Sequence, residues 1–341
     1  MEQKNINISE IARMAGVSKT TVSRVINNRP DVKPVTKEKV ERIIKECGYC
    51  PSAIAQAFSK KRSMAIGLVF SDSETDAVSN PYYTELMRGV LDEARRQEYR
   101  VVLSYLMDND CLTLVRQKTV DGLLVMTPSS EQRDKLQELQ ELDVPLVSTS
   151  RVMGMESLHY IVGDDYGACR EIVEYLISMD RRRIAFIGGP ECLYSNRSRL
   201  KAYQDALAAH QIPYDPAIVG FGAASFSSGR EIMSGFLGTG HDITAVIAFS
   251  DLMALGAKQT IEQRGLRVPG DVLLVSTDST AISDYLDASP ITIRQPTYER
   301  GRKAMEMLVG LIEDRPVEQH VVMPMGVLTR DTRQRAPVSE D

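Results

Sequence analysis

The hydrophobic residues near the amino terminus recur at spacings of three and four, which is the pattern of short amphipathic helices. One stripe comprises Ile8, Ile11 and Ala12, and a second comprises Val22, Val25 and Ile26. Gly16 lies between the two stripes, and glycine readily takes the left-handed conformation that a sharp turn needs. The pattern therefore predicts a helix, a tight turn and a second helix.

Capping residues set the limits of these helices. Asn7, followed three residues later by Glu10, predicts a capping box at the start of the first helix, and Ser18 is expected to cap the second. A third amphipathic helix is predicted to begin at Thr36 and to end at Gly48. We expect the three helices to form one small bundle.

Beyond residue 64 short apolar runs alternate with amphipathic segments. The predicted strands are 64–70, 100–105, 120–126, 144–148, 183–188, 245–249 and 272–276. The predicted helices include 82–97, 166–179, 197–210 and 252–264. Such alternation is typical of parallel sheets with right-handed crossovers. A second series of elements begins near Tyr160, which predicts two α/β lobes with a ligand site at the carboxyl ends of their strands.

The polar residues of the second helix favour contact with DNA. Lys19, Thr20, Ser23 and Arg24 are expected to point away from the apolar stripe. Arginine and lysine can hydrogen-bond guanine in the major groove, where a bidentate contact discriminates by roughly 1–3 kcal/mol. The Ala-Gly-Val-Ser turn favours a DNA-binding helix-turn-helix. The alternative is an ordinary helical hairpin with a solvated charged face.

The distribution of charge supports a nucleic-acid partner. Residues 1–62 contain 13 Lys and Arg against 6 Asp and Glu, a net charge of +7, whereas the remainder has a net charge of −12. Affinity for duplex DNA depends on the number of phosphates that are neutralised. We therefore expect the amino-terminal segment, and not the acidic remainder, to bind DNA.

Composition excludes several other classes of protein. A chain of 341 residues suggests two or three domains, and no apolar run reaches the length of a membrane span. The polar amino terminus is unlike a signal peptide, so we expect a cytoplasmic protein without a membrane partner. Neither G-x-G-x-x-G nor a Walker A sequence occurs, which argues against a nucleotide-dependent enzyme.

The cysteines and histidines give little support for a metal or redox site. An odd number of cysteines, five, is typical of reduced thiols. Cys47 and Cys50 form a C-x-x-C pair, for which a redox or zinc role is the alternative, but no second pair or nearby histidine completes a site. We expect no metal and no cofactor.

The motifs together resemble the lactose-repressor (LacI/GalR) family of transcriptional regulators over nearly the whole chain. The matching segments are 11–12, 17–18, 21–27, 48–51, 80–83, 183–190, 250–256, 265–271 and 295–296. The resemblance implies an all-α helix-turn-helix DNA-binding head joined to an α/β two-lobed core like that of periplasmic binding proteins. It also implies a homodimer on a near-palindromic operator in double-stranded DNA.

The resemblance also implies domain boundaries and DNA contacts. It places the helix-turn-helix domain at 1–50, a hinge helix and linker at 51–63, the effector-binding and dimerisation core at 64–330, and a loose tail at 331–341. The implied DNA contacts are Ser18, Lys19, Thr20, Thr21, Arg24, Asn27, Ala55 and Phe58. Phe58 stands where the family usually has a leucine that kinks the central base step. Packing of Phe58 against the partner hinge is the alternative.

The effector, a sugar or sugar phosphate, is expected between the lobes. The resemblance assigns a clamp to Arg199 and Asp278, because an arginine donates and an aspartate accepts hydrogen bonds from adjacent hydroxyls. A structural ion pair is the alternative. The neighbouring positions implied are Ser71, Tyr82, Tyr83, Ser195 and Ser250. Departures from the family's pattern occur at Ser150-Arg151, Leu193 and Ala224, with Phe226 close to the last of these; Leu193 replaces the arginine of the purine-responsive member.

Three functions compete. The first is a sugar-responsive repressor. The second is a catabolite-control regulator with a phosphoprotein corepressor. Glu306 and Gly310 argue against this second function, whereas Arg302 and Lys303 leave it open. The third is a transport-binding protein or a sugar-processing enzyme, for which neither an export signal nor a nucleophile–base pair is found.

Overall fold

The computed structural model describes residues 6–26, 31–49, 62–71, 80–107, 110–278, 280, 283 and 291–329. The chain divides into two compact units, Met1–Met64 and Ala65–Asp341. Across these described ranges, helices that combine the length and the apolar composition required to cross a bilayer do not occur.

Among its described residues, the first unit contains three helices, α1 (Ile8–Ala15), α2 (Lys19–Ile26) and α3 (Pro34–Glu46). The capping box predicted at Asn7 and Glu10 is confirmed, since each side chain accepts a hydrogen bond from the backbone at the other residue. Gly16 takes a φ of +64°, in the left-handed region. Ser18 Oγ accepts from the backbone nitrogen of Thr21 at 3.0 Å. The start of the second helix is therefore fixed by a side-chain cap, as predicted.

The prediction that Thr36 caps α3 is wrong. The helix begins two residues earlier at Pro34, after Lys33, whose side chain makes no capping hydrogen bond. Proline is well placed at the first position of a helix, because it has no N–H to satisfy and its φ is already helical. Gly48 ends the helix with a φ of +60°, as predicted.

The apolar stripes of the three helices meet in one core. Its fully buried members are Ile11, Ala12, Ala15, Val22, Val25, Val40 and Ile43. Cys47 lies at the edge of this core with its Sγ 3.8 Å from the sulfur of Met14, and Cys50 falls outside the described residues.

The second unit alternates strands with helices. The strands are β1 (Ala65–Phe70), β2 (Arg100–Tyr105), β3 (Leu123–Met126), β4 (Leu146–Ser148), β5 (His159–Gly163), β6 (Ile184–Gly188), β7 (Val219–Phe221), β8 (Ala245–Ala248), β9 (Leu273–Ser276), β10 (Ile291–Arg294), β11 (His320–Met323) and β12 (Gly326–Thr329). The helices are α4 (Pro81–Arg96), α5 (Asp110–Arg116), α6 (Arg133–Glu141), α7 (Asp165–Ser178), α8 (Tyr194–Ala209), α9 (Phe226–Gly238), α10 (Asp251–Gln263) and α11 (Thr297–Ile312). Short 3₁₀ turns occur at Ser130–Gln132 and Pro216–Ile218.

The strands form two six-stranded sheets, which define two lobes. The first sheet has the order β11-β5-β4-β3-β1-β2, and the second has the order β12-β10-β9-β8-β6-β7. All pairings are parallel except that of β12 with β10. Parallel sheets need helices on their faces, and the apolar faces of the helices supply the core of each lobe. The predicted two-lobed α/β fold is confirmed.

One sequence-based boundary differs from the structure. The series predicted to begin near Tyr160 starts with a strand of the first lobe, because β5 pairs with β4 and with β11. The chain then passes between the lobes three times, after β5, between β10 and α11, and between β11 and β12. Hydrophobic periodicity predicts a strand but carries no information on which sheet it joins.

Helix α11 returns to the first lobe and packs closely against α4. A Cβ on Gly301 would lie 2.1 Å from the carbonyl oxygen of Leu86, and one on Gly89 would lie 2.0 Å from that of Tyr298. The glycines therefore permit backbone contact between these two helices. The close crossing fixes the amino-terminal turn of α11, which borders the space between the lobes.

Candidate functional site

The recognition surface predicted in the head is solvent-exposed. Ser18, Lys19, Thr20 and Arg24 are exposed, and Thr21 is half-buried because its hydroxyl lies 2.9 Å from Ser18 Oγ. Asn27, Ala55 and Phe58 lie outside the described residues. Their DNA contacts, like those of the exposed residues, stay predictions.

Arg24 has a carboxylate beside it. Its Nη1 lies 3.3 Å from Asp31 Oδ2, and each side chain is 55 % exposed. An ion pair that is this exposed stabilises a protein by no more than about 1 kcal/mol. The guanidinium can therefore leave Asp31 at little cost when a stronger acceptor, such as a guanine edge or a phosphate, is offered.

A cavity of about 530 Å³ lies between the lobes, at the carboxyl ends of their strands. All seven residues predicted to contact an effector line it, namely Ser71, Tyr82, Tyr83, Ser195, Arg199, Ser250 and Asp278. The topology therefore brings together residues that are far apart in sequence. Their role as effector ligands stays a prediction.

Arg199 is buried on the second-lobe wall, and its carboxylate partner is Asp165, a residue that the sequence analysis missed. Arg199 Nε donates to Asp165 Oδ1 at 2.8 Å, and Nη2 lies 2.7 Å from the same oxygen. Nη1 donates to the carbonyl of Phe249 at 3.2 Å and to Thr277 Oγ1. Burial alone would lower the pKa of Arg199, but the charges of Asp165 and Asp278 raise it above its ordinary value. Every guanidinium nitrogen is thus engaged within the second lobe.

Asp278 lies on the same wall, after β9. Its Oδ1 accepts from Gln295 Nε2 at 2.9 Å, and its backbone nitrogen donates to Ser276 Oγ at 3.2 Å. Burial and the nearby charge of Asp251 raise the pKa of Asp278 to about 7, although Arg199 lowers it. The predicted clamp residues are therefore neighbours, but the ion pair at Arg199 is formed with Asp165, so Asp278 can still accept from a ligand.

Two tyrosines and an arginine form part of the first-lobe wall. Tyr82 and Tyr83 begin α4, where Asn80 caps the helix, and their rings meet edge to face with centroids 5.4 Å apart. Arg300, in the first turn of α11, donates to the hydroxyl of Tyr82 and lies over its ring at 5.3 Å. Burial raises the pKa of Tyr82, so the phenol stays protonated and can donate to a ligand.

The sequence analysis also missed Arg300. In sequence it stands beside Arg302 and Lys303, which read as a basic helical surface. The structure separates them: Lys303 is exposed and Arg302 is half-buried, both pair with Glu306, and Arg302 also reaches Glu93. Arg300, in contrast, is only 4 % exposed and lines the cavity. Helical spacing places Arg300 on the same face as the buried Ala304, but it does not show that this face meets a cavity.

The positions that depart from the family's pattern also border the cavity. Ser150, Leu193 and Ala224 line it, whereas Phe226 is exposed. Arg151 reaches across from the first lobe, with Nη1 3.2 Å from the hydroxyl of Tyr194 and its guanidinium 5.0 Å above that ring. This contact joins the two lobes at the cavity.

Comparisons with known proteins agree with this architecture. Residues 7–52 match the description "Bacterial regulatory proteins, lacI family", and residues 173–333 match "Periplasmic binding protein-like domain". The transcriptional regulator CelR of Thermobifida fusca is 32 % identical over 94 % of this chain and 96 % of its own length. The chain belongs to the lacI family of bacterial regulatory proteins. It is therefore a helix-turn-helix transcriptional regulator, and its relatives are regulators as well.

Two further lacI-family relatives extend the comparison. Catabolite control protein A of Priestia megaterium is 30 % identical over 93 % of this chain and 96 % of its own length. The solved lac repressor dimer, bound to operator and the anti-inducer ONPF, has a TM-score of 0.82 at 28 % identity and covers 96 % of this chain and 99 % of its own. A solved complex of CelR with cellobiose has a TM-score of 0.73 at 30 % identity, covering 95 % and 98 %.

Proposed function

We propose that this lacI-family regulator represses sugar-utilisation genes and that a carbohydrate bound between its lobes sets its affinity for a near-palindromic operator. The observation that carries the proposal is the cavity itself, whose two walls carry hydroxyl groups, amides, charged groups and tyrosine rings. Such groups can donate to and accept from adjacent sugar hydroxyls. The cellobiose in the CelR complex supports a carbohydrate as the ligand class.

The proposal assigns base reading to α2. Lys19, Thr20 and Arg24 would meet base edges in the major groove, with Ser18, Thr21 and Asn27 beside them and the hinge residues Ala55 and Phe58 in the minor groove. A homodimer would place two such helices on the two halves of the operator. The domain limits 1–50, 51–63, 64–330 and 331–341 belong to this proposal.

Effector binding would act through the relative position of the lobes. A sugar held by Asp278 on one wall and by Tyr82 on the other touches both lobes, and a change in their spacing would alter the contact between Arg151 and Tyr194. Regulation follows only if the effector binds the DNA-competent and DNA-incompetent states with different affinities. The proposal assigns no catalytic step to the cavity, and turnover of a bound sugar would contradict it.

Fluorescence anisotropy with duplexes from the regulator's own upstream region tests the DNA half of the proposal. Arg24→Ala should reduce the preference for the specific duplex over random duplex by roughly 5- to 150-fold, the equivalent of one lost bidentate contact. Arg13→Ala is the matched control, because Arg13 is also exposed and cationic but lies on α1. Arg13→Ala should lower the affinity for the specific duplex and for random duplex by the same factor. An equal loss for both duplexes with Arg24→Ala would refute base reading.

The same assay with added sugars tests the effector half. A cognate carbohydrate should change operator affinity by roughly 5- to 150-fold. Ala224 is half-buried in the cavity wall, in the loop that precedes α9, so Ala224→Tyr should reduce the space for a sugar without disturbing a core. This variant should bind the operator normally and respond to sugar more weakly than the wild type. If no carbohydrate shifts the wild-type melting temperature or its operator affinity, the proposal fails.

A phosphoprotein corepressor has less support. Glu306 lies beside Arg302 and Lys303 and offsets part of their positive charge, which lowers the attraction of this surface for an acidic partner. A pull-down with the phosphorylated carrier protein that recovers this regulator would favour the alternative.

A further inference from the structure

We propose that Arg300 binds an anionic group of the effector, so that the ligand of this regulator is an acidic carbohydrate, carrying a carboxylate or a phosphate, and not a neutral one. The inference rests on the proposed function, because it names the ligand class of the same cavity. The observations that carry it are the burial of Arg300, its incomplete hydrogen bonding and its position on the cavity wall.

Arg300 is a buried cation whose bonding capacity is incompletely used. Its side chain is 4 % exposed, and its Nε is buried without a hydrogen-bond partner among the described residues. Its contacts are the hydroxyl and the ring of Tyr82. Neither contact neutralises a positive charge, and an unpaired buried charge is costly.

Arg199 on the opposite wall shows how this chain satisfies a buried guanidinium. Arg199 has Asp165 at 2.7 Å and further acceptors at Phe249 and Thr277. For Arg300, the described residues supply no carboxylate oxygen within the 4.0 Å of an ion pair. Among the described lining residues the two buried arginines are therefore unequal: Arg199 is paired with a carboxylate, whereas Arg300 donates only to a phenol hydroxyl.

The remaining charges of the cavity do not replace a partner for Arg300. Glu131 is exposed, and Asp165 is engaged with Arg199. Asp278 is close enough for Arg300 to lower its pKa, but burial and Asp251 outweigh this effect and hold that pKa at about 7. With Asp251 counted, the buried groups carry a net charge between −1 and zero at neutral pH, so an anionic ligand is favoured by the local charge of Arg300 and not by the total.

A second unpaired group lies on the same wall of the cavity. Thr127 follows β3 with a φ of +49°, a left-handed conformation that β-branched residues rarely adopt. Its backbone nitrogen donates to Thr149 Oγ1 at 3.0 Å, while its own Oγ1 is buried without a partner among the residues described. Strain of this kind is typical of functional sites. Arg300 and the Thr127 hydroxyl are thus two donors on the first-lobe wall that lack a full set of acceptors among the described residues, and an acidic sugar supplies acceptors.

The geometry of a guanidinium favours a carboxylate or a phosphate. Its nitrogens donate in a planar fork that matches two oxygens of one such group. An acidic sugar held through its anion by Arg300 on the first lobe would present its hydroxyls to Asp278 and Ser195 on the second. The charged group would thus orient the ligand as well as neutralise the arginine.

Matched pairs of ligands test the proposal by calorimetry on the full-length protein. Glucose against glucuronate, and galactose against galacturonate, differ only at C6, and glucose 6-phosphate distinguishes a phosphate from a carboxylate. The acidic member of a pair should bind at least 10-fold more tightly. A preference for uronates identifies a carboxylate subsite, and a preference for glucose 6-phosphate identifies a phosphate subsite.

Variants attribute that preference to Arg300. Arg300→Met should reduce the affinity for the acidic ligand by roughly 10- to 100-fold, the cost of losing a charge-assisted hydrogen bond. Arg133→Met is the matched control, because Arg133 also has a buried, unpaired Nε but does not line the cavity. It should keep the preference. Thr127→Val, which removes the unpaired hydroxyl, gives a second test if Arg300→Met does not fold, and it should also weaken binding of the acidic ligand.

The outcomes separate this inference from the proposed function. If a neutral sugar binds as tightly as its acidic partner, or if a folded Arg300→Met variant keeps the preference for acid, the inference is overturned while a carbohydrate effector stands. If Arg300→Met does not fold, a Thr127→Val variant that keeps the preference overturns it as well. If no carbohydrate of either class binds, the proposed function itself fails.

Discussion

Replacing Asp278 with asparagine should stabilise this regulator, and more strongly as the pH rises. The Asp278 side chain is buried on the cavity wall, and burial together with the charge of Asp251 raises its pKa from 3.8 to about 7. Asparagine keeps the oxygen that accepts from Gln295 Nε2 at 2.9 Å. The substitution therefore removes the charge and leaves the packing and that hydrogen bond in place.

The sign and size of the effect follow from the pKa. Because the folded pKa exceeds the unfolded one, the native state binds the proton more tightly. The contribution of protonated Asp278 to the free energy of unfolding is therefore complete below pH 3.8 and is lost as the pH rises through 7. Each pKa unit corresponds to 1.36 kcal/mol, so a shift of this size costs about 4 kcal/mol once Asp278 is ionised. Between pH 5 and pH 8.5 the gain from Asp278→Asn should grow by about 2–3 kcal/mol.

Urea unfolding at a series of pH values measures this difference, with tyrosine absorbance or circular dichroism as the signal. Asp180→Asn is the matched control, because the Asp180 side chain is 91 % exposed and its loss should have no such dependence on pH. An Asp278→Asn variant whose advantage is the same at pH 5 and pH 8.5, or which becomes less stable than the wild type as the pH rises, would refute the reasoning.

Three further predictions concern stability. Arg199→Leu should lower the free energy of unfolding by about 3–5 kcal/mol, because it leaves Asp165 buried and unpaired; adding Asp165→Leu should recover part of that loss in urea titrations. Gly301→Ala should destabilise by about 1–3 kcal/mol, because its Cβ would meet a backbone carbonyl of α4. Gly235→Ala is the control and should not destabilise the protein, because the added Cβ meets nothing within 4 Å. Equal melting temperatures for Gly301→Ala and Gly235→Ala would contradict the close packing of α11 against α4. Asn7→Ala should cost the head about 1 kcal/mol, measured by circular dichroism, whereas Asn7→Ser should not.

Local signals in the sequence predicted local structure well. The capping box at Asn7, the left-handed turn at Gly16 and the cap at Ser18 each depend on atoms within a few residues, and each is present in the structure. Thr36 was misplaced because Pro34 competes for the same helix start, and its fixed φ outweighs a hydroxyl cap.

Features that depend on packing between distant parts of the chain could not be predicted from the sequence. Strand β5 belongs to the first lobe because of its pairing with β4 and with β11, the latter about 160 residues along the chain. Asp165 and Arg300 look like surface charges in sequence, since helix periodicity does not reveal which first turn faces a cavity. The family resemblance placed Arg199 and Asp278 on the cavity wall, but it could not supply the partner of Arg199 or the unpaired Arg300, because both depend on neighbours that α7 and α11 bring together.

The triple passage of the chain between the lobes determines when each lobe can mature during synthesis. Strand β5 leaves the ribosome with one edge unmatched, because His320–Met323, which completes that edge, is translated about 160 residues later. An open strand edge can pair with a foreign strand, and domains usually fold as they emerge. The first lobe must therefore wait for almost the entire polypeptide, so incomplete nascent chains of this regulator should depend on chaperones more than chains whose lobes are each encoded by one continuous segment.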